Sequence, residues 1–143
     1  MKFSVTRTFL EVFQGNPKQR IKQFVTQEDA ELEVQSLEWN VPNLVYALGA
    51  GDVTTSGVRD TFSFGGDADT DEVAVKVQHT LPSGNTISIY IWRAQPKGTW
   101  ELSLVQDKLQ EFPFSFRALT STRSWDGASL ASTQNLFKIV RDK

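Results

Sequence analysis

The sequence predicts a mainly β domain: a two-sheet antiparallel β-sandwich or partly closed barrel of about eight strands, with one short flanking helix over about residues 40–49. Three observations carry this. Aromatic and β-branched residues recur at a spacing of two along most of the chain. Short clusters of Gly, Pro, Asn, Asp and Ser punctuate those runs. Only one stretch takes helical spacing, and no strand–helix–strand repeat occurs.

The first run covers residues 3–13. Phe3, Val5, Phe9 and Phe13 share one parity, interrupted by Arg7 and Glu11. Leu10 and Val12 join Ser4, Thr6 and Thr8 in the other. Apolar residues in both parities towards the end predict that both faces become covered, by a second layer or by a neighbouring subunit. Gln14-Gly15-Asn16-Pro17 reads as a turn. Residues 20–26 form a second strand around Ile21 and Val25. Residues 28–38 form a third, with Ala30, Leu32, Val34 and Ser36 on a dry face and Glu31, Glu33 and Gln35 on a wet one.

The period changes at Trp39-Asn40-Val41-Pro42. Asn40 is placed to cap a helix whose first turn tolerates Pro42. Val41, Leu44, Val45 and Leu48 lie on one helical face, and Gly49 and Gly51 supply the stop. A short helix here would cover a sheet end or edge. Residues 52–58 read as a polar link, 61–64 as a short strand and 65–70 as a turn. Val73, Val75 and Val77 then pair through 81–85 with Ile87, Ile89 and Ile91 as a hairpin. The opposite side carries Tyr90 and Trp92. Residues 95–98 read as a turn, 100–105 as a strand and 106–111 as an unassigned connection. Residues 112–119 form a strand with Phe112, Phe114 and Phe116 in register; Pro113 asks for an edge or strand-start position. Residues 120–133 are polar, with Trp125 alone among them, and 135–141 close the chain as a strand.

One domain suits 143 residues and 16.1 kDa. Fifteen basic residues against seventeen acidic ones argue against a basic duplex-binding module. With no cysteine there is no disulfide, thiol nucleophile or thiolate-held metal. With one histidine there is no multi-histidine metal site in a single chain. The longest apolar stretch, at residues 41–50, falls short of the about 20 residues a spanning helix needs. The alternating opening residues read as a strand rather than a signal peptide.

No residue set rises to a catalytic or cofactor site, so neither enzyme activity nor a cofactor is expected. Asp67, Asp69 and Asp71 have the spacing of a calcium loop's opening, but its required Gly and Glu are replaced by Glu72 and Gln78. His79 has no partner of ligating type. Gly49-Ala50-Gly51 follows a helix, so it cannot set helix N–H groups on a phosphate. The glutamates of residues 28–38 read either as a solvated sheet face or as an acidic lining, at Glu31 and Glu33, for the pore of an assembly. Such a lining would let DNA slide without sticking.

Three stretches together resemble the major tail, or tail-tube, protein family of tailed bacteriophages. They are EDAELEVQSLEWNVPNLVYAL at 28–48, HTLPSGNTISIYIWRAQPKG at 79–98 and DKLQEFPFSFRAL at 107–119, completed by an aromatic strand near Phe137. The resemblance implies a β-sandwich or barrel-like core with a flanking helix. It also implies homo-oligomeric rings, hexameric in this family, stacked into the tube through which DNA leaves the capsid. Implied partners are further copies of the chain, a tape measure protein, a tail terminator and baseplate or tip proteins, with DNA passing transiently. The implied location is the virion, after synthesis in host cytoplasm. By analogy, Asp52 and Thr54 in segment 51–58, and Trp125 and Asp126 in segment 120–133, are candidates for ring contacts. Trp39 and Trp92 join them as interface aromatics. The first strand begins almost at Met1, unlike longer relatives, so the inter-ring link is expected from loops or from residues outside this sequence. Alternatives are another tail component, or a small ligand-binding β-barrel with Trp92 and Trp100 lining its pocket.

Overall fold

A computed structural model describes residues 1–36, 40–66, 69–97 and 112–142. The fold is mainly β, with two antiparallel sheets and one short helix. The strands are β1 (Lys2–Gln14), β2 (Gln19–Ser36), β3 (Asp52–Ser56), β4 (Arg59–Ser63), β5 (Val73–Thr80), β6 (Thr86–Pro96), β7 (Phe112–Ala118) and β8 (Phe137–Arg141). The helix, α1, is Asn43–Leu48. Trp39, Trp100, the strand expected at 100–105 and the connection at 106–111 lie outside the described residues.

The larger sheet has the order β1-β2-β7-β6-β5, with β8 also on β6. Strand β6 organises it. Strand β5 pairs along one edge, from Thr86 to Ala94. On the other edge β8 takes Ile87–Ile91 and β7 takes Ala94–Pro96. An irregularity sets Val73 opposite Ala94 but Val75 opposite Ile91. The extra residue on β6 switches parity, so Ile91 and Ala94 both reach the core. Leu32 opposite Phe116 and Val34 opposite Phe114 extend the same face. Ala30, Leu32, Ile91, Ala94, Phe116 and Ala118 form its centre. Phe3 of β1 meets Phe137 of β8 edge-on at 5.0 Å, so the sheet folds over its own core face. Among the described residues no ladder joins β1 to β5 or β8.

The structure corrects several local readings. Residues 20–26 and 28–38 are not two strands: β2 runs unbroken from Gln19 to Ser36, paired with β1 along the whole of β1. The alternation slips at Thr26, where a bulge sets Phe9 opposite Val25. That slip mimics a break when sequence alone is read. Residues 52–58 are not a link: Asp52–Ser56 pairs with Arg59–Ser63 as a separate hairpin. Its threonines favour strand, while their polarity reads as loop. Gln95 and Pro96 belong to β6 rather than to a turn. The helix is capped at Pro42, without a side-chain hydrogen bond, and Asn40 contributes its carbonyl to the Asn43 N–H at 3.0 Å.

The expected stop at Gly49 is present. Its φ is 69°, left-handed, and its N–H donates to the Val45 carbonyl at 2.7 Å. A Cβ there would stand 2.5 Å from Thr70 Cγ2 and 2.8 Å from Pro96 Cγ. Conformation and space both demand glycine, which docks α1 on β6 and β7. Pro113 is the second residue of β7, opposite Gln35 of β2, close to the strand start that proline tolerates.

Candidate assembly surfaces

The distal half of the β1–β2 hairpin stands out from the body. Strand β7 reaches β2 only from Glu31 onward, so Gln19–Glu28 pairs with β1 alone. These ten residues extend roughly 33 Å as a two-stranded arm. On one arm face Phe9 lies opposite Val25; on the other, Leu10 lies opposite Phe24. Phe13 shares the parity of Phe9. These five side chains and Ile21 are between 41% and 59% exposed. Sequence reasoning left open whether a second layer or a neighbour covers the two apolar faces. Among the described residues no layer of this chain closes over them, although Val25 at the arm's base borders a groove with Leu119 and Leu136 of the body.

Basic side chains trim the arm. Arg20 bridges Glu11 at 2.8 Å and lies 5.9 Å from the Phe13 ring centre; Lys22 Nζ lies 4.7 Å from that of Phe24. Residues 7–28 hold four basic and two acidic side chains, leaving eleven basic and fifteen acidic elsewhere. The arm is therefore cationic and the remainder of the chain anionic.

Glu31 and Glu33 lie on the polar face of the larger sheet, near the arm's base. Lys97 Nζ and Arg117 Nη2 both donate to Glu31 Oε1, the second at 3.1 Å. Hydrogen bonds from Lys97 and then Arg117 hold the Glu31 carboxyl below its ordinary value. Glu33 has Lys2 at 3.8 Å. Read along β2 the face is acidic; read across the sheet, Lys2, Lys97 and Arg117 balance Asp29, Glu31 and Glu33.

Three of the expected contact residues come together on the opposite side of β6 from the core. Trp92 stacks on Tyr90 with ring centres 6.1 Å apart and donates its indole N–H to the Gln134 carbonyl at 3.0 Å. Trp125 reaches Tyr90 at 5.8 Å yet is 64% exposed. Lys76 Nζ lies 5.3 Å from the Tyr90 ring centre and 5.8 Å from that of Trp125. Asp126 accepts from the Ser124 hydroxyl and, at 3.4 Å, from the Ala128 N–H; the Ser124 bond leads in lowering its pKa. Trp92, Trp125, Asp126 and Lys138 border a groove of about 350 Å³. Asp52 and Thr54 are elsewhere, exposed on β3 opposite Ser63 and Thr61.

Sequence reasoning missed the arm as a unit, although its signal was there as apolar residues in both parities of residues 9–13. Among the described residues no group of three potential metal-ligating side chains occurs. None of the described helices is long and apolar enough to cross a membrane. No protein-family model and no curated protein matches the chain.

Proposed function

We propose that the chain is a structural subunit that assembles with copies of itself into stacked rings, as the tail tube of a bacteriophage does. The observation that carries the self-assembly is the arm. An isolated two-stranded ribbon is at best marginally stable in water, and this one exposes apolar side chains on both faces. A partner surface would stabilise it. The cationic arm and the anionic remainder make a second copy of the chain the complementary partner.

The tube itself rests on the resemblance of residues 28–48, 79–98 and 107–119. The fold over of the large sheet, with Phe3 on Phe137, fits the partly closed barrel that the resemblance implies. On this reading the ring is hexameric and the work mechanical, with no bond made or broken. Tape measure, terminator and baseplate proteins are its neighbours in the virion. If the face of Glu31 and Glu33 lines the channel, passing DNA meets balanced charge rather than an acidic wall.

Sedimentation velocity across a wide concentration range, with negative-stain microscopy, tests the proposal. Rings or tubes of uniform bore are expected as concentration rises. A strict monomer at the highest concentration would overturn it. A second reading, a small ligand-binding β domain, has the Trp92–Trp125 groove in its favour. It expects a monomer whose tryptophan fluorescence changes saturably with an oligosaccharide such as cellotriose.

A further inference from the structure

We infer that each arm is clasped between two other copies of the chain, one on each face. This rests on the self-assembly reading above and goes further, because a single neighbour laid against the arm would cover one face only. Phe9, Phe13 and Val25 would then be dry while Leu10 and Phe24 stayed wet, or the reverse. Both sets are exposed to a similar degree in the free chain. Neither is the polar back of an amphipathic ribbon, which is what a strand with one covered face presents. The bulges at Thr26 and Ile21 leave the alternation of β1 intact, so the two apolar sets stay on opposite faces.

The two contacts also differ chemically. The Phe9 face carries Glu11 and Arg20, already bridged to each other; the Leu10 face carries Lys22, which has no carboxylate partner among the described residues. The Leu10 face therefore fits an acidic receiving surface, and the Phe9 face a neutral one. Two unlike contacts are what a subunit needs to join neighbours in two directions, around a ring and between rings.

Two variants separate the faces while keeping strand propensity: Phe9→Thr with Val25→Thr, and Leu10→Thr with Phe24→Thr. Assembly is followed by sedimentation velocity and negative-stain microscopy. Each variant should need at least ~100-fold higher concentration to assemble, since each removes two apolar side chains from one contact. Only the Leu10-face contact should weaken steeply with added salt. Tryptophan fluorescence reports whether the body is folded, since no tryptophan lies in residues 9–25. Should a double variant misfold, single Phe13→Lys and Leu10→Lys substitutions put the same question to each face. If either face can be altered with assembly at the wild-type concentration, the clasp is wrong while self-assembly stands. If the wild type never assembles, self-assembly itself fails. A monomer that instead floats with vesicles of phosphatidylcholine and phosphatidylglycerol would make lipid the arm's occupant and overturn both.

Discussion

Strand β2 belongs to two different regions. At its C-terminal end Leu32 is completely buried, between β1 and β7 and under the core of β6. Near its start Ile21 and Phe24 project from a ribbon whose other strand is β1. Composition does not separate the two ends, since both mix apolar with charged residues, strictly alternating only at the C-terminal end. The number of neighbours does. Where β7 pairs, a strand gains a sheet and the sheet gains a core. Where β7 stops, apolar side chains are left facing solvent on both sides. Body and arm should therefore respond to different variables, the body to denaturant and the arm to protein concentration.

The largest effect is expected from truncating the body. Leu32→Ala should cost about 2–5 kcal/mol of unfolding free energy, measured by urea denaturation, with the loss independent of protein concentration. Phe13→Ser, on the arm, should leave the monomer's unfolding free energy within about 0.5 kcal/mol while raising the concentration needed for assembly. If Phe13→Ser destabilises the monomer as much as Leu32→Ala does, the division into body and arm is wrong.

Next comes the junction of helix and sheet. Gly49→Ala forces a side chain into a left-handed backbone and onto Thr70 and Pro96, which should cost roughly 1–3 kcal/mol. The loss should again be independent of concentration, and calorimetry would read it as a lower Tm at every concentration. A concentration-dependent loss would move α1 from the body to an assembly contact.

These variants also mark what the sequence made legible. Alternating valines and isoleucines, the helix stop at Gly49 and the aromatic strand at residues 112–118 depend on local pattern, and local pattern is what periodicity reports. The unbroken β2 was hidden because the bulge at Thr26 shifts phase, so a continuous strand reads as two. The β3–β4 hairpin was hidden because a small sheet away from the core has no apolar alternation to announce it. Ile91 and Ala94 share the core only through the extra residue on β6, which shows in its pairing with β5 and in no single-strand reading. Of the site, the glutamates of β2 were visible but Lys97 and Arg117 were not, since one follows the end of β6 and the other sits on β7.

A smaller effect is expected at the aromatic cluster, and it sharpens the line between body and arm. Trp125→Ala removes a ring from Tyr90 and Lys76 and should cost about 1 kcal/mol. If Trp125 serves only to cover the outer face of β6, the loss is the same at all concentrations. If it also makes a ring contact, as its position among residues 120–133 led us to expect, assembly weakens by more than folding does. Comparing urea midpoints with sedimentation on one variant distinguishes the two.

The smallest effect is the pH response of the sheet that carries the arm's base. The folded state lowers the Glu31 pKa through hydrogen bonds from Lys97 and Arg117, so folding favours the carboxylate. A group with a lowered folded pKa contributes stability above its unfolded value, about 4.5 here, and loses it as pH falls through the folded value. Glu31→Gln should therefore be less stable than wild type near neutral pH and converge with it as pH falls through the lowered folded value. Glu72, held low by Arg93, and Asp126, held low by Ser124, keep their own acid responses, so the variant's acid limb is shallower rather than absent. Urea midpoints measured against pH for both proteins give the comparison. A difference that stays constant from neutral to acid pH would mean that Glu31 contributes shape rather than charge. The face beside the arm would then not be held together by its ion pairs.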